Sequence, residues 1–173
     1  MKIVPEDAKL VLAQYVAMLT YHKEDFLLKP FERIVFYPHP FPSPEIPDLH
    51  LSEHHEADGV LIFSLPHMMK AFLNPQSFFQ PALYELGLVC WHLWEHESWP
   101  ASFPGWEDQM EAISGFPRDK LAKVIGKEVT FLGVAVHHFF QFPESFQAVL
   151  PDLYQELSSC FQIDPRFPES SSS

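Results

Sequence analysis

Phe78-Phe79-Gln80-Pro81-Ala82-Leu83-Tyr84-Glu85-Leu86-Gly87-Leu88-Val89-Cys90-Trp91-His92-Leu93-Trp94-Glu95-His96 is the stretch on which the rest of the chain is organised. It predicts a buried helix. Pro81 suits a first helical turn, where the missing N–H is no loss. Leu83, Leu86, Gly87, Cys90 and Trp94 recur at helical spacing and make a wide apolar face. Pro100 closes the segment.

The polar residues of this helix are few. Glu85, His92 and His96 share one stripe, because seven residues make nearly two turns and four make one turn plus about 40°. His92-Leu93-Trp94-Glu95-His96 also spells H-x-x-E-H, the order found in inverted zinc peptidases. Two imidazoles one turn apart can share a zinc ion, and a carboxylate between them can deprotonate its water. The plainer reading is a helix end whose last-turn histidines complement the helix dipole.

The 173 residues suffice for one domain with a real core, and 47% hydrophobic with 20% charged residues describes an ordinary globular chain. Seventeen Phe predict an aromatic core, and seventeen Pro predict short, stiff loops. A net charge of −12 argues against nucleic acid, whose phosphates require clustered Lys and Arg. Cys90 and Cys160 form no C-x-x-C pair and suit a reducing compartment. The start of the chain lacks the apolar core of a signal peptide, and no run reaches the length of a membrane span. The expectation is a cytoplasmic protein with no nucleic-acid or membrane partner.

Working outward, Pro5-Glu6-Asp7 opens a first helix whose acidic start complements the dipole. Glu32-Arg33-Ile34-Val35-Phe36-Tyr37 predicts a strand stopped by Pro38, and Gly59-Val60-Leu61-Ile62-Phe63-Ser64-Leu65 predicts a second, buried on both faces. Residues 38–47 are Pro-rich and should be extended. Residues 49–58 carry His50, Glu53, His54, His55, Glu56 and Asp58 and read as an exposed acidic loop; a metal site there is the lesser alternative. Residues 67–73 predict a short helix, and a further helix starts at Gly105-Trp106-Glu107. Residues 128–140 are ambiguous by propensity, since Val129, Thr130, Phe131, Val134 and Val136 favour strand. Pro143 and Pro151 open two more helices, the last ending near Gln162. Residues 166–173 read as a disordered Ser-rich tail after a single domain over 1–165.

Several of these segments resemble the MtfA-like (Mlc titration factor A) zinc metallopeptidase family. The likeness is carried by Arg33-Ile34-Val35-Phe36-Tyr37-Pro38 with Phe41, by Gly59-Val60-Leu61-Ile62-Phe63-Ser64, and by Gly105-Trp106-Glu107. It is clearest in Phe139-Phe140-Gln141-Phe142-Pro143-Glu144-Ser145-Phe146, Pro151-Asp152-Leu153-Tyr154 and Phe161-Gln162-Ile163-Asp164-Pro165. The resemblance covers roughly residues 10–165. It implies an α+β, mostly helical, zincin-like fold with a small sheet and a central buried helix, and it turns residues 128–140 into a helix.

The family motif H-E-x-x-H falls on Tyr84-Glu85-Leu86-Gly87-Leu88, and its downstream Glu falls on Thr130. Glu85 keeps the catalytic carboxylate position, but Tyr84, Leu88 and Thr130 stand where the three ligands belong. Leu cannot hold zinc, and one carboxylate makes no zinc site. The resemblance therefore implies a pseudoenzyme with no cofactor, working by binding a protein or peptide partner, by family analogy a transcriptional regulator. Glu85, buried, needs a partner, with Tyr84, His92 or His137 as the candidates. The old peptidase cleft, edged by Glu97-Ser98-Trp99-Pro100 and Phe103-Pro104-Gly105-Trp106, is the expected groove.

The alternative is an active zinc peptidase with a relocated site, in which His92, His96 and His137 hold the metal and Glu95 is the base. A third option, a Cys90 thiol hydrolase, is disfavoured because His92 lies about 200° around the helix from it.

Overall fold

The computed structural model describes residues 5–21, 28–29, 31–75, 79–93, 105–126 and 129–167. Helix α1 (Glu6–Thr20) begins with Glu6 and Asp7 in its first turn and buries Ala8, Val11, Leu12, Tyr15 and Leu19. Three strands follow: β1 (Arg33–Tyr37), β2 (Ser52–His55) and β3 (Val60–Ser64). They form one mixed sheet in the order β1-β3-β2. β1 runs parallel to β3 with Val35 opposite Ile62, and β2 runs antiparallel with His54 opposite Leu61. The central strand is buried more on one face than the other: Leu61 and Phe63 are fully inside, Val60 and Ile62 half-buried.

Only Leu49 and the turn at Glu56–Asp58 of residues 49–58 are exposed. His50 and Glu53 are 0% and 2% exposed, and residues 52–55 make the strand β2. The strand is polar because its partners are polar. Side chains alternate across a strand, so Ser52 and His54 face Glu85 while Glu53 and His55 share a second cluster.

The helices are α2 (Leu65–Leu73), α3 (Pro81–Leu93), α4 (Trp106–Ser114), α5 (Arg118–Ile125), α6 (Phe131–Gln141), α7 (Pro143–Val149) and α8 (Pro151–Phe161). Pro81, Pro143 and Pro151 each occupy a first turn, as their fixed φ favours. Gly105 and Gly115 bracket α4 with φ of 79° and 68°, a conformation costly for other residues. The α+β class with a central buried helix is as expected. Every residue of α3 from Pro81 to Cys90 is buried.

α6 is a helix despite its β-branched residues, and Val129 and Thr130 lie just outside it. Tertiary packing overrides propensity here. α3 and α6 cross at very close range: a Cβ on Gly87 would meet Val136 Cγ1 at 2.7 Å, and one on Gly133 would meet the Tyr84 ring at 2.5 Å. Below this crossing Phe139 packs against Tyr154 and Phe161, with ring centroids 5.0 and 5.9 Å apart. Each such buried ring contributes roughly 2–3 kcal/mol.

The folded part runs past residue 165. Arg166 bonds Asp164 through Nε at 2.9 Å, also reaches Gln147, and lies over the Tyr154 ring. Asp164 is held down to about 2, chiefly by the Arg166 hydrogen bonds. Residues 168–173 lie outside the described residues.

Candidate functional site

Glu85 sits in the second turn of α3 with no solvent exposure. A carboxylate so placed requires compensating donors. β2 supplies them. Ser52 Oγ donates to Oε2 at 3.0 Å, and His54 Nδ1 lies 2.5 Å from Oε1. Sequence alone points to Tyr84, His92 and His137 as candidate partners; the strand β2 supplies Ser52 and His54. The signal was present as the polar alternation Ser52, Glu53, His54, His55, which propensity cannot register because none of the four favours a strand.

The ligand positions of the resemblance do not fit a zinc ion. Tyr84 is 0% exposed, its ring packed on Gly133, and its hydroxyl accepts the Thr130 N–H at 3.2 Å. Burial raises the Tyr84 phenol above its ordinary value, so it stays neutral. Leu88 is a core residue with no lone pair to offer. Thr130 precedes the first turn of α6.

Of the alternative set, Glu95 and His96 lie outside the described residues. His92 is exposed in the last turn of α3, its ring centroid 6.3 Å from that of His54. His137 is fully buried, ringed by Phe79, Phe116, Phe142 and His138. Neither His137 nitrogen has a hydrogen-bond partner among the described residues. Burial, with His138 beside it, pushes the ring down to about 3. Burial pushes His138 down to about 4, against the effect of its bond to the Ile113 carbonyl. Both rings are neutral packing units at neutral pH.

Cys90 is no nucleophile. Burial, with a smaller effect of Cys160, pushes its thiol up to about 12. Trp106 is likewise buried, as a core residue at the start of α4; the other aromatic loop residues expected at the groove fall within 94–104, outside the described residues.

A second polar cluster surrounds Glu53. Its carboxylate accepts Ser43 Oγ at 2.9 Å and faces Nε2 of both His50 and His55 at 3.1 Å. His50 Nδ1 also faces the Asp48 carbonyl at 2.9 Å. Glu45, 74% exposed, lies 3.7 Å from His55 Nδ1. The cluster ties the Pro-rich segment to β2.

Beside the start of β2 opens a cleft of about 360 Å³, lined by Leu51, Phe79, Phe116, Leu121 and Val124. Among the described residues its polar lining is His67, Lys70 and Lys120. That is a local reversal of sign on a chain of net charge −12.

Comparison with protein-family models, curated proteins and solved structures gives no match. The MtfA-like likeness rests on the residues quoted for it. No helix among the described residues is long and apolar enough to cross a membrane.

Proposed function

We propose that this chain is a non-catalytic protein on an MtfA-like, zincin-like scaffold, and that it works in the cytoplasm by binding a protein or peptide partner. The observation that carries this reading is the state of the inherited motif. Glu85 is bound from β2 by Ser52 and His54, while Tyr84 and Leu88 fill the α3 core positions. A catalytic carboxylate must be free to take a proton from water at an open metal position. This one is closed in on itself.

The cleft beside β2 is the natural docking place, since an apolar concavity with a few convergent polar groups is the usual form of a binding site. Lys120 favours a segment that carries aromatic or aliphatic side chains next to Asp or Glu. A regulator would present such a segment, in keeping with the family analogy.

The test is a panel of fluorescent peptides combining apolar and acidic residues, measured by anisotropy against the chain and its Lys120→Glu variant. Acidic-apolar peptides should bind, and the variant should lose about tenfold or more, a change of about 1.4 kcal/mol. Equal binding of acidic and basic peptides, or no effect of the variant, would remove the cleft from the proposal.

A further inference from the structure

At the opposite edge of the sheet from β2, and independent of the binding reading, β1 carries backbone groups turned outward. Arg33 N donates to the Gly59 carbonyl at 3.1 Å, and β1 lies parallel to β3 with Val35 opposite Ile62. Backbone groups alternate in direction along a strand. Those of Arg33, Val35 and Tyr37 therefore turn to β3, and those of Ile34 and Phe36 turn to the free edge. Among the described residues no strand pairs with this edge. Its side chains are apolar on both faces: Ile34 is 48% exposed and Val35 39%. Ile34 and Phe36 also wall a groove of about 550 Å³, completed by Leu12, Ala13, Val16 and Ala17 of α1. With neither a charge nor a proline along residues 34–37, such an edge is a template for another strand.

We propose that this edge pairs with β1 of a second copy of the chain, antiparallel, across a two-fold axis at Val35. The occupant must offer backbone donors and acceptors, which an extended chain does. The β1 sequence fits itself. With Val35 on the axis, Ile34 lies opposite the second copy's Phe36, and these outward-facing residues exchange both N–H···O bonds. Shifting the register by two residues one way sets Ile34 against Pro38, which has no N–H. Shifting it the other way brings in Glu32, whose N–H is already given to the Gly59 carbonyl at 3.0 Å. In the register at Val35, Arg33 faces the second copy's Tyr37 and Glu32 faces its Pro38, so no like charges meet. The Ile34–Phe36 contact is a favourable β-branched–aromatic pair. The axis stands normal to the sheet, so both grooves lie on one face. The two α1 helices then approach through Ala13 and Ala17, small residues exposed in the single chain. A stable dimer buries on the order of 1,000 Å² or more; the strand ribbon begins that contact and the joined grooves extend it.

The test is sedimentation velocity of the purified chain over about 1–100 μM near neutral pH. A species of twice the 20.0 kDa chain mass is expected to grow with concentration. Ile34→Pro removes only an outward N–H, which edge strands tolerate, and Ala13→Glu puts a charge into the groove. Each should weaken the dimer about tenfold or more. Leu73→Lys, exposed at the end of α2, should leave it unchanged. Ala13→Glu decides the matter if Ile34→Pro does not fold. Mild oxidation reads the register. Val35→Cys should cross-link to its own copy, because opposed Cα atoms of a non-hydrogen-bonded pair stand about 4.5 Å apart, within disulfide range. Ile34→Cys, the more exposed position, faces Phe36 and should not; the native Cys90 and Cys160 are buried. A monomer throughout the range, even one that takes up an added extended peptide, would overturn the proposal. So would a dimer indifferent to Ile34→Pro and Ala13→Glu, or cross-linking of Ile34→Cys ahead of Val35→Cys.

Discussion

Gly133 of α6 lies flat against the ring of Tyr84 of α3, so that an added Cβ would stand 2.5 Å from Cδ2 and Cε2. The relation has a counterpart one turn along, where Gly87 of α3 meets Val136 of α6. Two glycines in opposite helices set the distance at which the central helix is held. Tyr84, standing where the resemblance places a ligand, is there as the surface on which α6 rests.

Gly133→Ala should therefore destabilise. A Gly to Ala change within a helix gains at most about 1 kcal/mol in propensity, and Gly133 lies in the first turn of α6, whereas forcing a methyl into a filled space costs about 1–3 kcal/mol. The ring cannot retreat, because its hydroxyl is bonded to Thr130 N and its face to Phe79. Urea unfolding should show a net loss of up to about 2 kcal/mol. A gain would mean that the two helices are not in contact as described.

Removing the donors of Glu85 separates charge from shape. His54→Ala leaves a buried carboxylate short of a donor and should cost about 3 kcal/mol or more. His54→Asn, which returns an N–H near the Nδ1 position, should recover at least half of that. Ser52→Ala should cost about 1.5–3 kcal/mol, the range for a hydrogen bond to a charged group. Equal stability of His54→Ala and His54→Asn by thermal denaturation would sever the link between β2 and Glu85.

His137 and His138 make the fold sensitive to acid. Both rings are lowered in the folded chain, to about 3 and about 4, from an unfolded value near 6.5. Above pH 6.5 both states carry neutral rings and stability is flat with respect to them. As pH falls from there toward 4, the unfolded chain binds protons that the folded chain refuses. Stability then drops by about 1.4 kcal/mol per pH unit for each ring. His137→Phe should flatten the profile between pH 6 and 4 and raise stability at pH 5. A parallel profile in the variant would show that the ring is not neutral inside the fold.

Cys90 should be inert to thiol reagents in the native chain, with its thiol pushed up to about 12 and no solvent exposure. Modification should appear only on unfolding. Rapid native labelling at Cys90 would restore a thiol chemistry for this helix.

What the sequence discloses, and what it hides, follows from the physics of each segment. α7 and α8 are legible because Pro143 and Pro151 mark first turns, and α3 because Pro81 opens an uninterrupted apolar face. α6 is not legible locally: Val134 and Val136 favour a strand, and the helix exists because Gly87 and Gly133 let it lie close to α3. β2 is hidden for the opposite reason. Ser52, Glu53, His54 and His55 lack the apolar alternation of a half-buried strand, and their burial is supported by Glu85 on one face and by Ser43 and His50 on the other. Glu85 could be singled out from the chain as a buried carboxylate, but its partners are 31 and 33 residues away in a segment that reads as loop.

The most direct measurement is hydrolysis of casein by the purified chain, chelator-stripped and then zinc-loaded, with Glu85→Gln alongside. A Glu85 held by Ser52 and His54 beneath a closed motif predicts no cleavage above the protein-free control in any of the three samples. Zinc-dependent cleavage that disappears with Glu85→Gln would contradict the account and return the chain to the active peptidases.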